Sequence, residues 1–323
     1  MILVTGGAGF IGSHLVADLI ADPGLRARGV RVLDDLSTGS RANLAGLAGV
    51  EFHEGSITDA AALARACAGV STIWHLAACP SVPKSFDQPE ACHAINATGT
   101  LLLARAAVAA QVRRVVFASS CAIYGDAGER AVGEEQAPQP KSPYAAQKLL
   151  GEQYLAHFGV VGGFTAVSLR FFNVYGPRQD PSSPYSGVIS IFCEKLLAGI
   201  APTIHGDGGH TRDFVYVADV VVALRLAAER DVAHGSVFNV ATGRSRTLLE
   251  LHATLAALLG GAPAPRHGAA RAGDIVRSAA DVTAITAKLG YRARHEFAEG
   301  LARTLAWYRE RQAAAGGRRE GHR

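Results

Sequence analysis

Three side chains in the middle of the chain have the types and spacing needed to move a proton to and from an alcohol. Tyr144 and Lys148 are four residues apart after a Ser-Pro pair, and Ser120 follows the apolar run Val115–Ser119. Proline suits the first turn of a helix, and residues four apart share one helical face. A nearby ammonium favours a phenolate, so we expect a lowered pKa for Tyr144, which would then act as a general base. Ser120 would donate to, or share, the proton of the substrate hydroxyl.

A glycine-rich loop near the start of the chain is typical of a turn that binds phosphate. Gly6, Gly9 and Gly12 separate a short apolar run from a helical pattern. Glycine allows a positive φ, a close approach of the backbone to a diphosphate, and tight packing of helix on strand. The first helical turn, with Phe10 and Ile11, offers amide donors and a dipole that favour an anion. The loop therefore predicts a dinucleotide site.

Two carboxylates follow the second strand pattern, Val30–Leu33. Asp34 and Asp35 lie where a carboxylate accepts hydrogen bonds from a ribose 2′-hydroxyl and repels a 2′-phosphate, about 20 residues past the glycines. Arg41 is nearby in the sequence, but no arginine stands directly at the strand end. This pattern favours NAD over NADP as the cofactor.

The elements that must position these residues alternate between short β-branched runs and longer Ala/Leu-rich segments. Such alternation predicts βαβ units with right-handed crossovers, which give an α/β fold with a doubly wound parallel sheet. The predicted strands are Ile2–Thr5, Val30–Leu33, Val50–Phe52, Thr72–His75, Val115–Ser119 and Thr165–Leu169. The predicted helices are Gly12–Ile20, Ala60–Cys67, Ala94–Ala110 and Tyr144–Phe158.

After Asn173 the chain becomes rich in proline and glycine, and its elements become shorter. We expect residues 1–172 to form the dinucleotide-binding domain, to which the chain returns around residues 210–242. Residues 173–209 and 243–312 would form a smaller α/β substrate domain on the carboxyl edge of the sheet. Residues 313–323 are expected to be a disordered tail.

The composition excludes several classes of protein. With 49% hydrophobic residues in 323, the chain can bury a large core, which excludes a disordered or fibrous protein. The net charge of +4 is scattered, so no nucleic-acid partner is expected. Five cysteines without a CxxC pair indicate free thiols, and twelve histidines without a close ligand cluster indicate no metal site. Without a signal peptide or a membrane-length apolar stretch, we expect a cytoplasmic protein.

Further motifs make the chain resemble the extended short-chain dehydrogenase/reductases, specifically their NAD-dependent nucleotide-sugar epimerases and dehydratases. The resemblance runs to about Tyr308 and rests on the features above and on His75–Ala78, Asn96–Thr100, Arg170–Arg178, Thr211–Val217 and Arg271–Asp274. It implies a Rossmann sheet and tightly held NAD that is regenerated in each turnover. His75 would be a packed strand residue beside the cofactor.

The resemblance also implies where the cofactor and the substrate lie. Relatives carry Asp at the position of Ser56, next to the adenine amino group, so weaker adenine binding is expected here. In the family, arginines and an asparagine bind the substrate, and the planar fork of an arginine suits the oxygens of a diphosphate. The implied cofactor contacts further include Ile57, Leu76, Ala77, Ala78 and Asn96. The implied substrate contacts are Asn173, Arg212, Arg271, Asp274 and Ser278, besides Ser120 and Tyr144.

Two positions after Ser120 separate the branches of the family. The dehydratases and UDP-glucuronate decarboxylases carry acidic residues there, whereas this chain has Cys121 and Ala122. Neither side chain is a carboxylic acid, which disfavours elimination and favours epimerisation at C4. By resemblance, Tyr144 would take the 4-hydroxyl proton while the C4 hydride passes to NAD. The 4-keto sugar would then rotate about the diphosphate and regain the hydride on its other face.

The identity of the sugar stays open at this stage. Relatives that exclude N-acetyl sugars carry a bulky aromatic at the position of Ser278, so we expect UDP-glucose, UDP-galactose and their N-acetyl forms as substrates. UDP-glucuronate is an alternative that would use the Gln179–Gly187 loop, where Asp180 would be an awkward neighbour for a uronate. A non-catalytic NAD-binding sensor is a further alternative. The family also implies a homodimer, formed through Ala94–Ala110 and Tyr144–Phe158.

Overall fold

The computed structural model describes residues 1–126, 128, 130–181, 187–269 and 277–320, with the backbone alone for 314–320. Short helical turns also occur at Arg41–Leu44, Ala94–Gly99 and Cys121–Tyr124. The strands are β1 (Ile2–Thr5), β2 (Val30–Asp34), β3 (Val50–Glu54), β4 (Thr72–His75), β5 (Arg114–Ser120), β6 (Thr165–Phe171), β7 (Asn173–Tyr175), β8 (Thr203–His205), β9 (Thr211–Tyr216), β10 (Ser236–Val240), β11 (Ser245–Thr247) and β12 (Arg266–Gly268). The helices are α1 (Phe10–Ala21), α2 (Pro23–Ala27), α3 (Ala60–Cys67), α4 (Val82–Asp87), α5 (Pro89–His93), α6 (Thr100–Ala109), α7 (Pro143–Gly162), α8 (Val188–Leu197), α9 (Val217–Glu229), α10 (Leu248–Leu259), α11 (Thr283–Leu289) and α12 (Phe297–Glu320).

Seven strands form a parallel sheet in the order β10-β6-β5-β4-β1-β2-β3. This confirms the predicted doubly wound α/β fold. The strand order reverses between β1 and β4, and ligands of such folds bind in the crevice outside the carboxyl ends of the strands at this point. The glycine loop, Ser120 and the start of α7 are all attached to elements of this sheet.

Apolar side chains cover both faces of the sheet. On one face, α1 and α9 contribute Leu15, Leu19 and Leu224 to the core. On the other face, α3, α6 and α7 contribute Leu63, Leu103 and Leu155 to a second core. Strands β1, β2 and β4 are buried throughout, as expected for a parallel sheet covered on both faces.

The remaining strands form two small sheets. Strand β9 lies between β7 and β11 in a three-stranded sheet, and β8 pairs with β12. Helices α8, α10 and α12 cover a separate apolar core that contains Phe192, Leu251 and Leu305. Within the predicted return segment, α9 packs on the seven-stranded sheet and β10 is one of its strands, whereas β9 is hydrogen-bonded in the three-stranded sheet and contributes Val215 to the core of the large sheet. Among the described helices, none combines the length and apolarity needed to cross a membrane.

Candidate active site

The glycine loop joins β1 to α1 and is closed by backbone contacts. Gly6 has φ +70°, and a Cβ there would lie 2.6 Å from the amide nitrogen of Ala77. A Cβ on Gly12 would overlap the carbonyl oxygen of Gly6. Gly9 precedes the first turn of α1 and brings no capping side chain, so the amides of Phe10 and Ile11 point toward the loop. This glycine cradle, at the N-terminus of a helix, fits a diphosphate.

Asp34 holds the loop from the end of β2. Its carboxylate accepts hydrogen bonds from the amides of Ala8 and Leu36, both at 2.9 Å, and its burial raises its pKa. A carboxylate has room for further donors, so these bonds leave capacity for a ribose hydroxyl. Asp35 is exposed and accepts from the amide and hydroxyl of Ser37. The two predicted carboxylates therefore occupy different environments, and only Asp34 touches the glycine loop.

Arg41 is committed to other partners. Its guanidinium lies 4.2 Å from the centre of the Phe52 ring and 2.8 Å from a carboxylate oxygen of Glu54. Asn43, which the sequence analysis did not single out, donates its amide to the carbonyl of Ala8 at 2.9 Å. The Asp34 carboxylate at the end of β2 and the Asn43 amide in the following loop therefore both hold the backbone of the glycine turn.

The residues expected at the adenine lie at the end of β3. The Ser56 hydroxyl accepts hydrogen bonds from the amide and hydroxyl of Thr58, and Ile57 is buried in the core. A Cβ on Gly99 would meet the Ile57 side chain, so this isoleucine fixes the distance to the helical turn at Ala94–Gly99. Ser56 is thus part of a turn, and its role at the adenine stays a prediction.

The loop after β4, with Leu76, Ala77 and Ala78, crosses directly over the glycine turn. Asn96 fixes the end of this loop, because its side chain accepts from the amide of Cys79 at 2.8 Å and donates to the carbonyl of Cys79 at 3.1 Å. The same amide group donates to Gln147 of α7 at 2.9 Å. Asn96, predicted as a cofactor contact, therefore acts on the backbone of the loop.

Tyr144 lies in the first turn of α7, which Ser142 caps by accepting from the amide of Ala145. The Ser120 hydroxyl is close enough to the Tyr144 phenol to lower its pKa, so the two predicted catalytic groups come together at the end of β5. The expectation of a lowered pKa is wrong for the protein alone. Burial raises the pKa of Tyr144 to about 12, and the neighbouring Ser120 hydroxyl only opposes that shift.

Lys148 follows one turn later on the same face of α7. It is 3% exposed, and its ammonium donates to the carbonyl of Ala118 at 2.9 Å. The nitrogen lies 6.0 Å from the centre of the Tyr144 ring and 4.9 Å from that of Phe117. Burial lowers the pKa of Lys148 to about 8. The lysine is thus close to the phenol, but its burial makes the ammonium easier to deprotonate.

A buried ion pair behind the site was not predicted. Glu152, one turn after Lys148, accepts a 2.5 Å hydrogen bond from the hydroxyl of Ser119. It also accepts two hydrogen bonds from Arg170 of β6, at 3.0 and 2.8 Å. The Glu152 charge raises the pKa of Lys148 against the effect of burial. The four-residue spacing from Lys148 was the available signal for Glu152.

His75 ends β4 behind the cofactor crevice, as predicted. It is fully buried between the hydroxyls of Thr5 and Thr100, at 2.8 and 3.0 Å, and stacks on Phe117. Burial lowers its pKa to about 3, so it is neutral. His75 is therefore a packed, uncharged residue at the end of its strand.

Of the other predicted substrate residues that the structure describes, Asn173 and Arg212 lie on the small three-stranded sheet and Ser278 lies beside it. Asn173 of β7 donates its amide to the carbonyl of Asp213 at 3.3 Å. Arg212 of β9 donates from its guanidinium to the carbonyl of Thr211 at 2.9 Å, and its charge lowers the pKa of the Cys121 thiol against the effect of burial. The backbone of Ser278 is tied to the start of β9 through the carbonyl of Thr211 at 3.1 Å. Arg271 and Asp274 lie outside the described residues.

A family model of NAD-dependent epimerases and dehydratases matches residues 2–241 of the chain. The UDP-glucose 4-epimerase of Mycolicibacterium smegmatis is 41% identical over 316 residues, covering 96% of this chain and 98% of that protein. A dTDP-glucose 4,6-dehydratase of an Actinoplanes species is 36% identical over 321 residues, covering 95% of this chain and 97% of that protein.

Two solved structures share the fold over nearly their full length. The UDP-glucose 4-epimerase of Thermotoga maritima, crystallised with UDP-glucose, has a TM-score of 0.90 and 38% identity, covering 96% of this chain and 99% of that chain. The UDP-N-acetylglucosamine 4-epimerase of Methanobrevibacter ruminantium, in complex with UDP-N-acetylmuramic acid, also has a TM-score of 0.90, with 36% identity, covering 96% of this chain and 98% of that chain.

Proposed function

The chain belongs to the NAD-dependent epimerase/dehydratase family, and we propose that it is a UDP-hexose 4-epimerase. The observation that carries this proposal is the meeting of Ser120, Tyr144 and Lys148 at the end of β5, directly before Cys121 and Ala122. This set can move one proton to and from a sugar hydroxyl. The two residues after Ser120 supply no carboxylic acid for the additional proton transfers of elimination.

The residues around the crevice fit NAD. The glycine cradle and the first turn of α1 suit its diphosphate, and Asp34 retains acceptor capacity for a ribose hydroxyl. When bound, oxidised NAD supplies the hydride acceptor and a positive charge that favours the phenolate of Tyr144. Arg41 is held by Glu54 and Phe52, which supports NAD over NADP.

Tyr144 and Ser120 carry out the proton chemistry in this proposal. Tyr144 accepts the proton of the sugar 4-hydroxyl as the alcohol becomes a ketone, and returns it after the sugar has turned. Ser120, whose hydroxyl lies beside the phenol, shares the proton of the same sugar hydroxyl. Lys148 places positive charge near the phenol, and Glu152 opposes the loss of that charge on burial. The chain thus provides one acid–base group that serves both faces of the sugar.

The substrate side supports a UDP-sugar held by its nucleotide. The charge of Arg212 acts on Cys121, the residue after Ser120, and an arginine fork suits diphosphate oxygens. Anchoring the nucleotide lets the sugar rotate while the binding energy is kept. Ser278 lies beside β9 with a small side chain, which favours turnover of both UDP-glucose and its N-acetyl analogue. Arg271 and Asp274 stay predictions from the sequence.

UDP-glucuronate is the second candidate substrate. Binding it would require a cation close to the carboxylate of the sugar. In the loop that would supply it, Asp180 forms a 3.3 Å ion pair with Arg311 of α12. Residues 182–186 of this loop are outside the described part of the chain. A carboxylate at Asp180 disfavours a second carboxylate at the same place, so we rank this substrate below the neutral sugars.

Substrate turnover without added NAD tests the proposed function. The purified protein would be incubated separately with UDP-glucose, UDP-N-acetylglucosamine and UDP-glucuronate, and the products resolved. We expect C4 epimers of the first two. A Ser278→Tyr variant should lose the N-acetyl substrate and keep UDP-glucose. A product that lacks water or carbon dioxide contradicts epimerisation, and inertness toward all three sugars would favour the NAD-binding sensor.

The proposal includes a cytoplasmic homodimer. Its support is that α6 and α7 pack against each other, so they can offer two adjacent helices to a second copy. At the end of α7, Val160 and Val161 are 74% and 80% exposed. The five cysteines are free thiols, as a reducing compartment favours. Sedimentation of the purified protein tests the dimer.

A further inference from the structure

Two thiols lie in contact beneath the catalytic residues. The sulfur atoms of Cys79 and Cys92 are 2.9 Å apart, although the residues are thirteen positions apart in the sequence. Cys79 ends the loop after β4 and is 5% exposed, and Cys92 in α5 is fully buried. Both are free thiols in the structure. Their side chains therefore need little movement to react with each other.

Cys79 belongs to the surroundings of the catalytic groups. Its thiol is close enough for its charge to act on both Tyr144 and Lys148. Cys79 also keeps a small exposed fraction, so it is the sulfur of the pair that a hydroperoxide can reach. Cys92 is fully buried, and burial raises the pKa of its thiol. The geometry thus distinguishes an attacking sulfur, Cys79, from a resolving sulfur, Cys92.

We propose that Cys79 and Cys92 form a redox modification site that closes to a disulfide in the presence of hydroperoxides. The Cys79 thiolate attacks one peroxide oxygen, the O–O bond breaks, and a sulfenic acid and one water form after protonation. The sulfur of Cys92 then attacks the sulfenic sulfur, the S–O bond breaks, and a second water leaves. Two thiols are oxidised by two electrons in total, and one hydrogen peroxide is reduced to two waters.

The disulfide would act on the site through the backbone of Cys79. The sulfurs would close from 2.9 Å to about 2.05 Å with a fixed dihedral preference. Asn96 holds the amide and carbonyl of Cys79 and also binds Gln147 on the helix of Tyr144 and Lys148. A displacement of Cys79 is thereby passed to the loop over the glycine turn and to α7. We expect oxidation to lower epimerase activity by about tenfold or more, an expectation that depends on the proposed function.

Other cysteines provide the internal controls. Cys193 is fully buried in the core covered by α8, α10 and α12, away from the crevice. Cys121 is partly exposed next to Ser120, so its oxidation is the competing explanation for any loss of activity. A variant that removes Cys92 leaves Cys121 in place and therefore separates the two explanations.

The test treats reduced wild-type, Cys92→Ala and Cys193→Ala proteins with hydrogen peroxide, with and without later dithiothreitol. Unreduced peptides are mapped by mass spectrometry, and UDP-glucose epimerisation is measured on the same samples. Wild-type and Cys193→Ala should yield a Cys79–Cys92 linked peptide and lose about tenfold or more of their activity, recovered by dithiothreitol. Cys92→Ala, whose basal activity should persist, should stop at the Cys79 sulfenic acid, give no linked peptide, and lose less activity than the wild type because the backbone of Cys79 is not displaced.

Three results would overturn the inference. They are a wild-type protein whose peroxide treatment gives no linked peptide, a linked peptide without loss of activity, or the same recoverable loss in Cys92→Ala. Peptide mapping needs no substrate, so a protein without epimerase activity still shows whether the disulfide forms. Failure of the proposed function and failure of this inference are therefore distinguishable.

Discussion

The two sides of the cleft are built from different kinds of groups. The cofactor side is made of backbone: Gly6 packs on Ala77, and Asp34 and Asn43 hold the amide and carbonyl of Ala8. The catalytic side is made of ionisable side chains whose burial moves their pKa, to about 12 for Tyr144 and about 8 for Lys148.

This difference predicts how each side responds to substitution and to pH. Backbone geometry does not titrate, so the cofactor side should respond to added atoms and barely to pH. Buried ionisable groups cost free energy of folding, so the catalytic side should trade stability for activity. Substitutions on the cofactor side should therefore lower NAD affinity, whereas substitutions on the catalytic side should lower activity and can raise stability.

The largest expected effect is on the catalytic side, with Tyr144→Phe. Removing the phenolic hydroxyl removes the only proton acceptor we assign, so kcat should fall about 10³-fold. The NAD bound to the purified protein should stay the same, because the glycine cradle is untouched. Tyr154→Phe, on the same helix, is the matched control and should keep its activity. Activity of Tyr144→Phe within tenfold of the wild type would contradict the assignment.

On the cofactor side, Gly6→Ala should have the next largest effect. The added Cβ would lie 2.6 Å from the Ala77 nitrogen, so the turn must open and NAD affinity should fall about 100-fold or more. Gly69→Ala is the control: its φ is +71°, close to the +70° of Gly6, but no described heavy atom lies within 4 Å of its Cβ. It should suffer only the backbone strain, about 1 kcal/mol of unfolding free energy. Bound NAD, quantified after denaturation, separates the two effects; equal losses would refute the steric cradle.

Lys148→Met should lower activity and stabilise the fold. Burial shifts the pKa of Lys148 from 10.5 to about 8, which corresponds to about 3 kcal/mol against folding near neutral pH. The unfolded chain binds the proton more tightly, so wild-type stability should rise from pH 8 to pH 10.5 and approach that of the variant. Denaturant unfolding at several pH values measures this. The exposed Lys288→Met should show no such pH dependence, and a destabilised Lys148→Met would contradict the account.

Asp34→Asn should have the smallest of these effects. The two carboxylate oxygens of Asp34 each accept from one backbone amide, of Ala8 and of Leu36, but a side-chain amide has only one acceptor oxygen. The loop therefore loses one hydrogen bond, and NAD affinity should fall about tenfold. Asp35→Asn alters an exposed carboxylate and should leave NAD affinity nearly unchanged. Titration of the NAD-free variants with NAD provides the measurement. A larger loss of NAD affinity in Asp35→Asn than in Asp34→Asn would contradict this and assign the ribose contact to Asp35.

The sequence reveals the local parts of this site better than its long-range parts. The glycine loop and the spacing of Tyr144 and Lys148 are local patterns, and the elements that carry them are confirmed. The clamp between Asn96 and Cys79 joins segments that meet only in the folded chain, as does the pair of Glu152 and Arg170. The pKa of Tyr144 was predicted in the wrong direction because its burial depends on the tertiary structure.

The central claim is that Tyr144 exchanges one proton while a single hydride leaves and returns to C4 of the same sugar. UDP-glucose deuterated at C4, incubated with the protein and no added NAD, tests this directly. The account predicts UDP-galactose with the deuterium retained at C4 and no solvent hydrogen at that carbon. Deuterium found at C6 with loss of water, or replaced by solvent hydrogen at C4, would contradict it.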